Sequence, residues 1–188
     1  MLLDLFIPAC WTIWGSIWFF AAFGVKKTAR QEEPLSRFEN TAPFWVGAFL
    51  LSAPPSWLGP LQSRLIPHDL ATYCIGAAMT VAGLGFAVWA RYHIGRNWSG
   101  VITVKEDHAL VRTGPYAIVR HPIYSGLMLA IAGSAVARGH VGGLVAIVVI
   151  LYAVLRRVRI EESWMSETFG QAYADYKART RALIPFLA

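Results

Sequence analysis

The chain has 188 residues, enough for one domain. It is 56% hydrophobic and only 15% charged, where a soluble domain carries about 25% charged residues, so its surface suits a bilayer better than water. The formal charge of +6 does not point to nucleic acid, because membrane proteins carry basic loops that set their orientation. Cys10 and Cys74 both sit in apolar runs with no C-x-x-C spacing, so neither a metal site nor a disulfide framework is indicated.

Residues 5–25 are free of charge over 21 positions, the length of a spanning helix. The acidic start, Met-Leu-Leu-Asp, and the long run mark a retained anchor rather than a cleaved signal peptide. Residues 26–41 read as a brief polar loop. Residues 43–59 form a shorter span, with Pro54-Pro55 expected to kink it. Residues 70–90 are the cleanest span, 21 uncharged positions between Asp69 and Arg91. Gly76, Gly83 and Gly85, with Ala77 and Ala78, let a second helix approach closely. Residues 123–137 and 141–155 are two apolar runs of 15 residues, separated by a link that begins at Arg138 and expected to form a helical hairpin. Residues 156–178 read as a helix leaving the membrane. Val158, Met165, Phe169, Tyr173 and Tyr176 lie on one of its faces, and Pro185 follows its end.

The fold expected is therefore all-α: a polytopic membrane protein of about five transmembrane helices, the last two a hairpin, with a cytoplasmic C-terminal helix. One domain covers 1–188, with three spans in 1–90 and the polar, chemistry-bearing half in 91–188. With the N-terminus outside, fifteen of the 17 Lys and Arg residues fall on the inner side. The other two, Arg64 and Arg138, fall outside. That bias places the C-terminus and the polar stretch Arg112–Gly126 in the cytoplasm.

This stretch, RTGPYAIVRHPIYSG, crowds Arg112, Arg120 and His121 against two tyrosines and two prolines at the mouth of an apolar run. Gly114-Pro115 is a turn signal. Pro122 suits the first turn of a helix, which puts His121 near the N-cap. Unpaired amides and the helix dipole there favour an anion. Tyr124 shares a face with His121, and Gly126 allows a ligand or a helix to come close. Arg and Tyr are also ordinary interface anchors, and the residues alone leave both readings standing. Arg157 and Glu161, four apart, could be a simple ion pair or a polar site, and Glu161-Glu162 is an unusual acidic insertion among basic residues. His68, His93, His108 and His140 read as solvated loop histidines. No G-x-S-x-G, P-loop, H-E-x-x-H or zinc spacing occurs, so hydrolase, ATPase and metalloprotease readings lack support and no metal is expected.

His108-Ala-Leu-Val, Gly114-Pro-Tyr, Arg120-His-Pro-Ile-Tyr-Ser-Gly126, Arg157-x-x-x-Glu161-Glu162, Phe169-Gly-x-x-Tyr173-x-x-Tyr176 and Leu183-Ile-Pro185 follow one another in order. This ordered set resembles the isoprenylcysteine carboxyl methyltransferase family, within the integral-membrane methyltransferases that include phospholipid methyltransferases. The resemblance covers about residues 91–185. It implies S-adenosylmethionine as methyl donor, with S-adenosylhomocysteine as product. It also implies donor contacts from His108, Leu110, Val111, Tyr116, His121, Tyr124 and Glu161, and a C-terminal helix covering the donor site. Arg157 is implied to lie by the substrate carboxylate and to carry the catalytic and substrate-binding role. A glutamine of eukaryotic members has no counterpart here, Thr103 being nearest in position.

The expected reaction is methyl esterification of a prenylcysteine-like, lipophilic acceptor that enters from the bilayer, at the cytoplasmic interface. In-line methyl transfer gains much of its rate from alignment, and a carboxylate acceptor is already ionised and needs no base. N-methylation of a phospholipid headgroup, for which Glu162 or His93 would be the base, and S-methylation of a small thiol are the alternatives within the class. A non-catalytic carrier and a nicotinamide-dependent redox protein are the alternatives outside it. Membrane lipids are expected partners, nucleic acid is not, and the sequence leaves the oligomeric state open.

Overall fold

The computed structural model describes residues 2–23, 25, 28–99, 103–105 and 109–185. The chain folds as helices α1 (Leu2–Ala21), α2 (Pro34–Ser52), α3 (Leu70–Ile94), α4 (Pro115–Ile118), α5 (Pro122–Arg138), α6 (Val141–Phe169) and α7 (Gln171–Arg179). Strands β1 (Thr28–Gln31) and β2 (Thr103–Lys105) pair antiparallel as a small ribbon, a departure from the all-α chain expected. Two helical stretches, Leu70–Asn97 and Val141–Phe169, are long and apolar enough to cross a membrane, and the apolar stretch Leu5–Ala21 is shorter. Phe20, Trp45 and Val148 are 71%, 72% and 60% exposed, as suits side chains that face lipid.

Helices α3 and α5 pack along a seam of small residues. An added Cβ at Gly76 would meet Gly133 O at 2.5 Å, and one at Gly126 would meet Gly83 O at 2.5 Å. The backbones therefore touch, the arrangement that membrane helices reach through glycine and alanine. Inside the seam Thr80 Oγ1 donates to Gly76 O at 2.8 Å, and Ser134 Oγ donates to Ala130 O at 2.9 Å. Trp11 Nε1 of α1 donates to the same Ser134 hydroxyl at 3.0 Å. Gly85, grouped with the seam on sequence, has nothing within 4 Å of its added Cβ. Gly133→Val is expected to destabilise the fold by about 1–3 kcal/mol through overpacking, while Gly85→Val leaves the detergent Tm unchanged. Equal melting of the two variants would contradict the seam.

Three sequence expectations are corrected. Pro54-Pro55 does not kink a span but ends α2 at Ser52, where Ala53 N caps back onto Phe49 O at 2.8 Å. That helix begins earlier, at Pro34, so half of the supposed polar loop is helical. Its polar face has partners: Asn40 Nδ2 donates to Glu32 Oε2 at 2.6 Å, and Arg156 of α6 bonds Asn40 Oδ1 and pairs with Glu39. The tail is not a separate helix from residue 156. The hairpin turns at Gly139 in the left-handed region (φ 69°), and α6 then runs unbroken to Phe169. Gly170 (φ 52°) breaks it and starts α7, which carries Tyr173 and Tyr176.

Candidate active site

The turn into α5 is built against the end of the chain. Gly114 (φ 59°) lies against His93, whose imidazole an added Cβ would meet at 2.6 Å, so the position requires glycine. His121 is the N-cap of α5. Arg120 N donates to Arg181 O at 2.8 Å, and His121 N donates to Ala182 O at 3.0 Å. Ser125 Oγ adds a bond to Leu183 O at 2.5 Å. The segment after α7 thus holds the start of α5 in place through main-chain atoms.

Side chains from three helices meet above this turn. Arg120 donates to Glu162 Oε1 from Nε at 2.8 Å and from Nη2 at 2.6 Å, and also bonds Thr180 O. Lys177 Nζ of α7 pairs with Glu162 Oε2 at 2.8 Å. The side chains of Arg120 and Glu162 are only 8% and 10% exposed. His121 lies between two carboxylates, with Nδ1 3.4 Å from Glu161 Oε2 and Nε2 3.4 Å from Glu162 Oε1. Tyr124 stacks on His121 with centroids 5.8 Å apart and donates its hydroxyl to Glu161 Oε1 at 2.5 Å. The Arg157 guanidinium carbon lies 5.6 Å from the Tyr124 ring centroid and 6.0 Å from that of Phe44, within cation–π range. From α7, Tyr176 donates to Tyr116 O at 2.6 Å. Burial pushes its hydroxyl up to about 12, so it remains a donor through the neutral range.

His121 precedes the apolar helix. Burial disfavours its imidazolium, but hydrogen bonds to Glu161 and Glu162 and their charges outweigh this and raise its pKa above the ordinary value. The stabilisation is complete below about pH 6.5, the unfolded value, and is lost as pH climbs through the raised folded value. The detergent Tm is expected to fall as pH rises above about 6.5, with a flatter slope in His121→Gln. Equal slopes in both would assign the dependence to other groups.

Arg120, His121, Tyr124, Arg157, Glu161 and Tyr176 line one cavity of about 920 Å³, while Glu162 and Lys177 stand behind its wall. Leu110, Val111, Tyr116, His121, Tyr124, Arg157 and Glu161, each singled out from sequence, border it. His108 lies outside the described residues, and Thr103 belongs to β2. The sequence marks Arg120 only as a cation beside His121 and Glu162 only as part of the acidic pair and a candidate base, and it gives Lys177 no role in the site. The pairing of Arg120 with Glu162 spans 42 positions and leaves no local signal.

Beyond Arg157 the walls become apolar: Phe44, Leu51, Ile131 and Ile150, with Trp11, Trp14 and Trp18 of α1 and Trp98. Trp14 stacks on Trp18 at 4.6 Å, and Trp18 meets Trp98 edge-on at 5.5 Å. The i, i+3, i+7 spacing of the α1 tryptophans was the readable sign of this wall. Trp14 Nε1 and Asn97 Oδ1 are buried without a hydrogen-bond partner among the described residues, and both residues border the cavity. An N–H and a carbonyl oxygen left in this way suit the polar groups of a bound molecule.

Fold and cavity together define a helical integral-membrane protein with an amphiphilic internal chamber. The chain belongs to the phospholipid methyltransferase family, whose sequence model matches residues 71–172. The protein-S-isoprenylcysteine O-methyltransferase of Saccharomyces cerevisiae is 29% identical over 130 residues, covering 66% of this chain and 54% of that protein. A probable protein-S-isoprenylcysteine O-methyltransferase of Oryza sativa subsp. indica is 28% identical over 146 residues, covering 74% of this chain and 76% of that protein. The solved structure of the eukaryotic intramembrane Ras methyltransferase ICMT (isoprenylcysteine carboxyl methyltransferase) superposes with a TM-score of 0.55 at 25% identity. That match covers 82% of this chain and 54% of the solved one. The chain thus spans about half the length of the yeast relative and of the solved protein.

Proposed function

We propose that the chain is an S-adenosylmethionine-dependent methyltransferase that esterifies the carboxylate of a prenylcysteine-like, lipophilic acceptor. The observation that carries this reading is one cavity with a polar pole at His121, Tyr124, Arg157 and Glu161 and an aromatic, apolar body beyond it. An amphiphile with a charged end fits that shape. The relatives support the same chemistry, since those just described are named isoprenylcysteine methyltransferases.

The residues at the polar pole fit the donor. Glu161 accepts from Tyr124 and faces His121, which leaves lone pairs for a ribose diol. Tyr116 and Tyr124 present rings to a cation. Leu110 and Val111 supply an apolar edge, and His108 is assigned to the same set by the family resemblance. When bound, S-adenosylmethionine supplies an activated methyl group and is left as S-adenosylhomocysteine. Arg157, held against the rings of Tyr124 and Phe44, orients the acceptor carboxylate through a two-pronged hydrogen bond.

The electrostatics favour an acceptor that needs no base. Glu162 is engaged by Arg120, Lys177 and His121, and His93 Nε2 bonds Thr113 Oγ1 at 2.9 Å and does not line the cavity. A carboxylate arrives ionised, whereas an ammonium headgroup would have to lose a proton here. The arrangement in the bilayer follows from the same reading: one domain over 1–188 with α1, α2, α3, α5 and α6 as five spans, the N-terminus outside, and α7 covering the donor pole on the cytoplasmic side. Labelled methyl transfer to a farnesylcysteine analogue, with phosphatidylethanolamine and a small thiol alongside, tests the acceptor. Arg157→Gln is expected to lower kcat/KM for the farnesylcysteine analogue by about a hundredfold, the worth of a charged hydrogen-bonded pair. Methylation of the phospholipid or the thiol alone would overturn the ester reading.

A further inference from the structure

The cavity has a second polar end that the proposed reaction does not use. Arg64, His68, Arg138 and His140 also line it. Arg138 closes α5, a helix of 17 residues that starts next to His121, so this end lies about 25 Å from the donor pole at 1.5 Å per residue. The backbone pairs the two segments that carry Arg64 and His140: Arg64 bridges His140, Leu65 N donates to Gly139 O at 2.8 Å, and Val141 N donates to Ser63 O at 2.9 Å. An added Cβ at Gly139 would lie 3.4 Å from Arg64 Nη1. His140 Nδ1 is buried with no hydrogen-bond partner among the described residues. Burial, and then the charges of Arg64, Arg138 and His68, push that imidazole down.

Among the described residues no carboxylate forms an ion pair with Arg64 or Arg138. Asp69, next to His68, is used as the N-cap of α3, accepting from Thr72 N at 2.7 Å, and does not line the cavity. Arg138 gives Nη2 to Ala53 O at 2.7 Å, which uses one of its five donors. Arg64 and Arg138 are also the two cations that hydropathy separates from the other fifteen, and both converge on one cavity mouth.

We propose that this mouth binds the phosphate of an anionic lipid headgroup, the lipid's chain lying in the aromatic body of the cavity. The bound lipid belongs to the leaflet opposite the methyl-transfer pole and sets the depth available to an acceptor chain. The phosphate site stands on the far cluster alone, while the leaflet and the limit on an acceptor chain rest on the proposed function.

The test is native mass spectrometry of the full chain in dodecyl maltoside, titrated with phosphatidylglycerol, with phosphatidylcholine of the same chains, and with inorganic phosphate. Phosphatidylglycerol is expected to be retained at least about tenfold more tightly than phosphatidylcholine, since each cation near a headgroup contributes about fivefold. Arg64→Gln and His140→Gln should each reduce retention of phosphatidylglycerol more than that of phosphatidylcholine, whose phosphate is balanced by its own ammonium. Arg138 is left in place because it also holds Ala53 O. Equal retention of the two lipids, or phosphatidylglycerol retention unaffected in both variants, would overturn the site. Tight binding of inorganic phosphate, lost in the variants and equal to that of the lipid, would overturn the headgroup as the source and leave the free anion as the ligand.

Discussion

His121→Ala is expected to weaken binding of S-adenosylmethionine by about tenfold to a hundredfold, the worth of a hydrogen bond to a charged group. The imidazole is held between Glu161 and Glu162 and stacked on Tyr124, so its removal loosens the carboxylate and the ring together. Tyr124→Phe should weaken binding less. It keeps the ring but removes the hydroxyl that donates to Glu161 at 2.5 Å. Both variants should still fold, because the start of α5 is fixed by the main-chain bonds to Arg181 and Ala182. Calorimetry on the detergent-purified variants checks this. Unchanged affinity in both would remove His121 and Tyr124 from the donor site.

The second large effect is on stability. Glu162 is the common partner of Arg120, Lys177 and His121, and it ties α5, α6 and α7 together. Glu162→Ala leaves the Arg120 guanidinium buried without its carboxylate, which costs about 3–5 kcal/mol. The detergent Tm should fall by on the order of 10 °C. Replacing Lys177 should cost far less, because that side chain is 53% exposed and water can take the place of its partner. If Lys177→Ala melted at the temperature of Glu162→Ala, the buried pair would not be the source of the stability.

Hydropathy made the helical architecture legible, and small residues marked one face of α3 for close packing without identifying α5 as its partner, since lipid-facing and helix-facing positions differ in size as well as polarity. It misread the boundaries of α2 and α6. Glu39, Asn40 and Arg156 are polar in the sequence, but they lie on helices because they pair across α2 and α6, a compensation that a one-dimensional reading does not contain. The site was legible wherever motif residues are close in sequence: His121 and Tyr124 share a face, and His121 is the N-cap. What was not legible was the set of long-range partners. Glu162 meets Arg120 through the antiparallel return of α6, and the tail at Arg181–Leu183 fixes α5 through backbone atoms whose identity no side chain reveals.

The most direct measurement is calorimetric titration of S-adenosylmethionine and S-adenosylhomocysteine into the folded, detergent-purified chain, with NADPH as control. Micromolar binding of both sulfur compounds and none of NADPH is the predicted result. No binding of either sulfur compound by folded protein, or binding of NADPH instead, would contradict the assignment of the His121–Tyr124–Glu161 pole as a methyl-donor site.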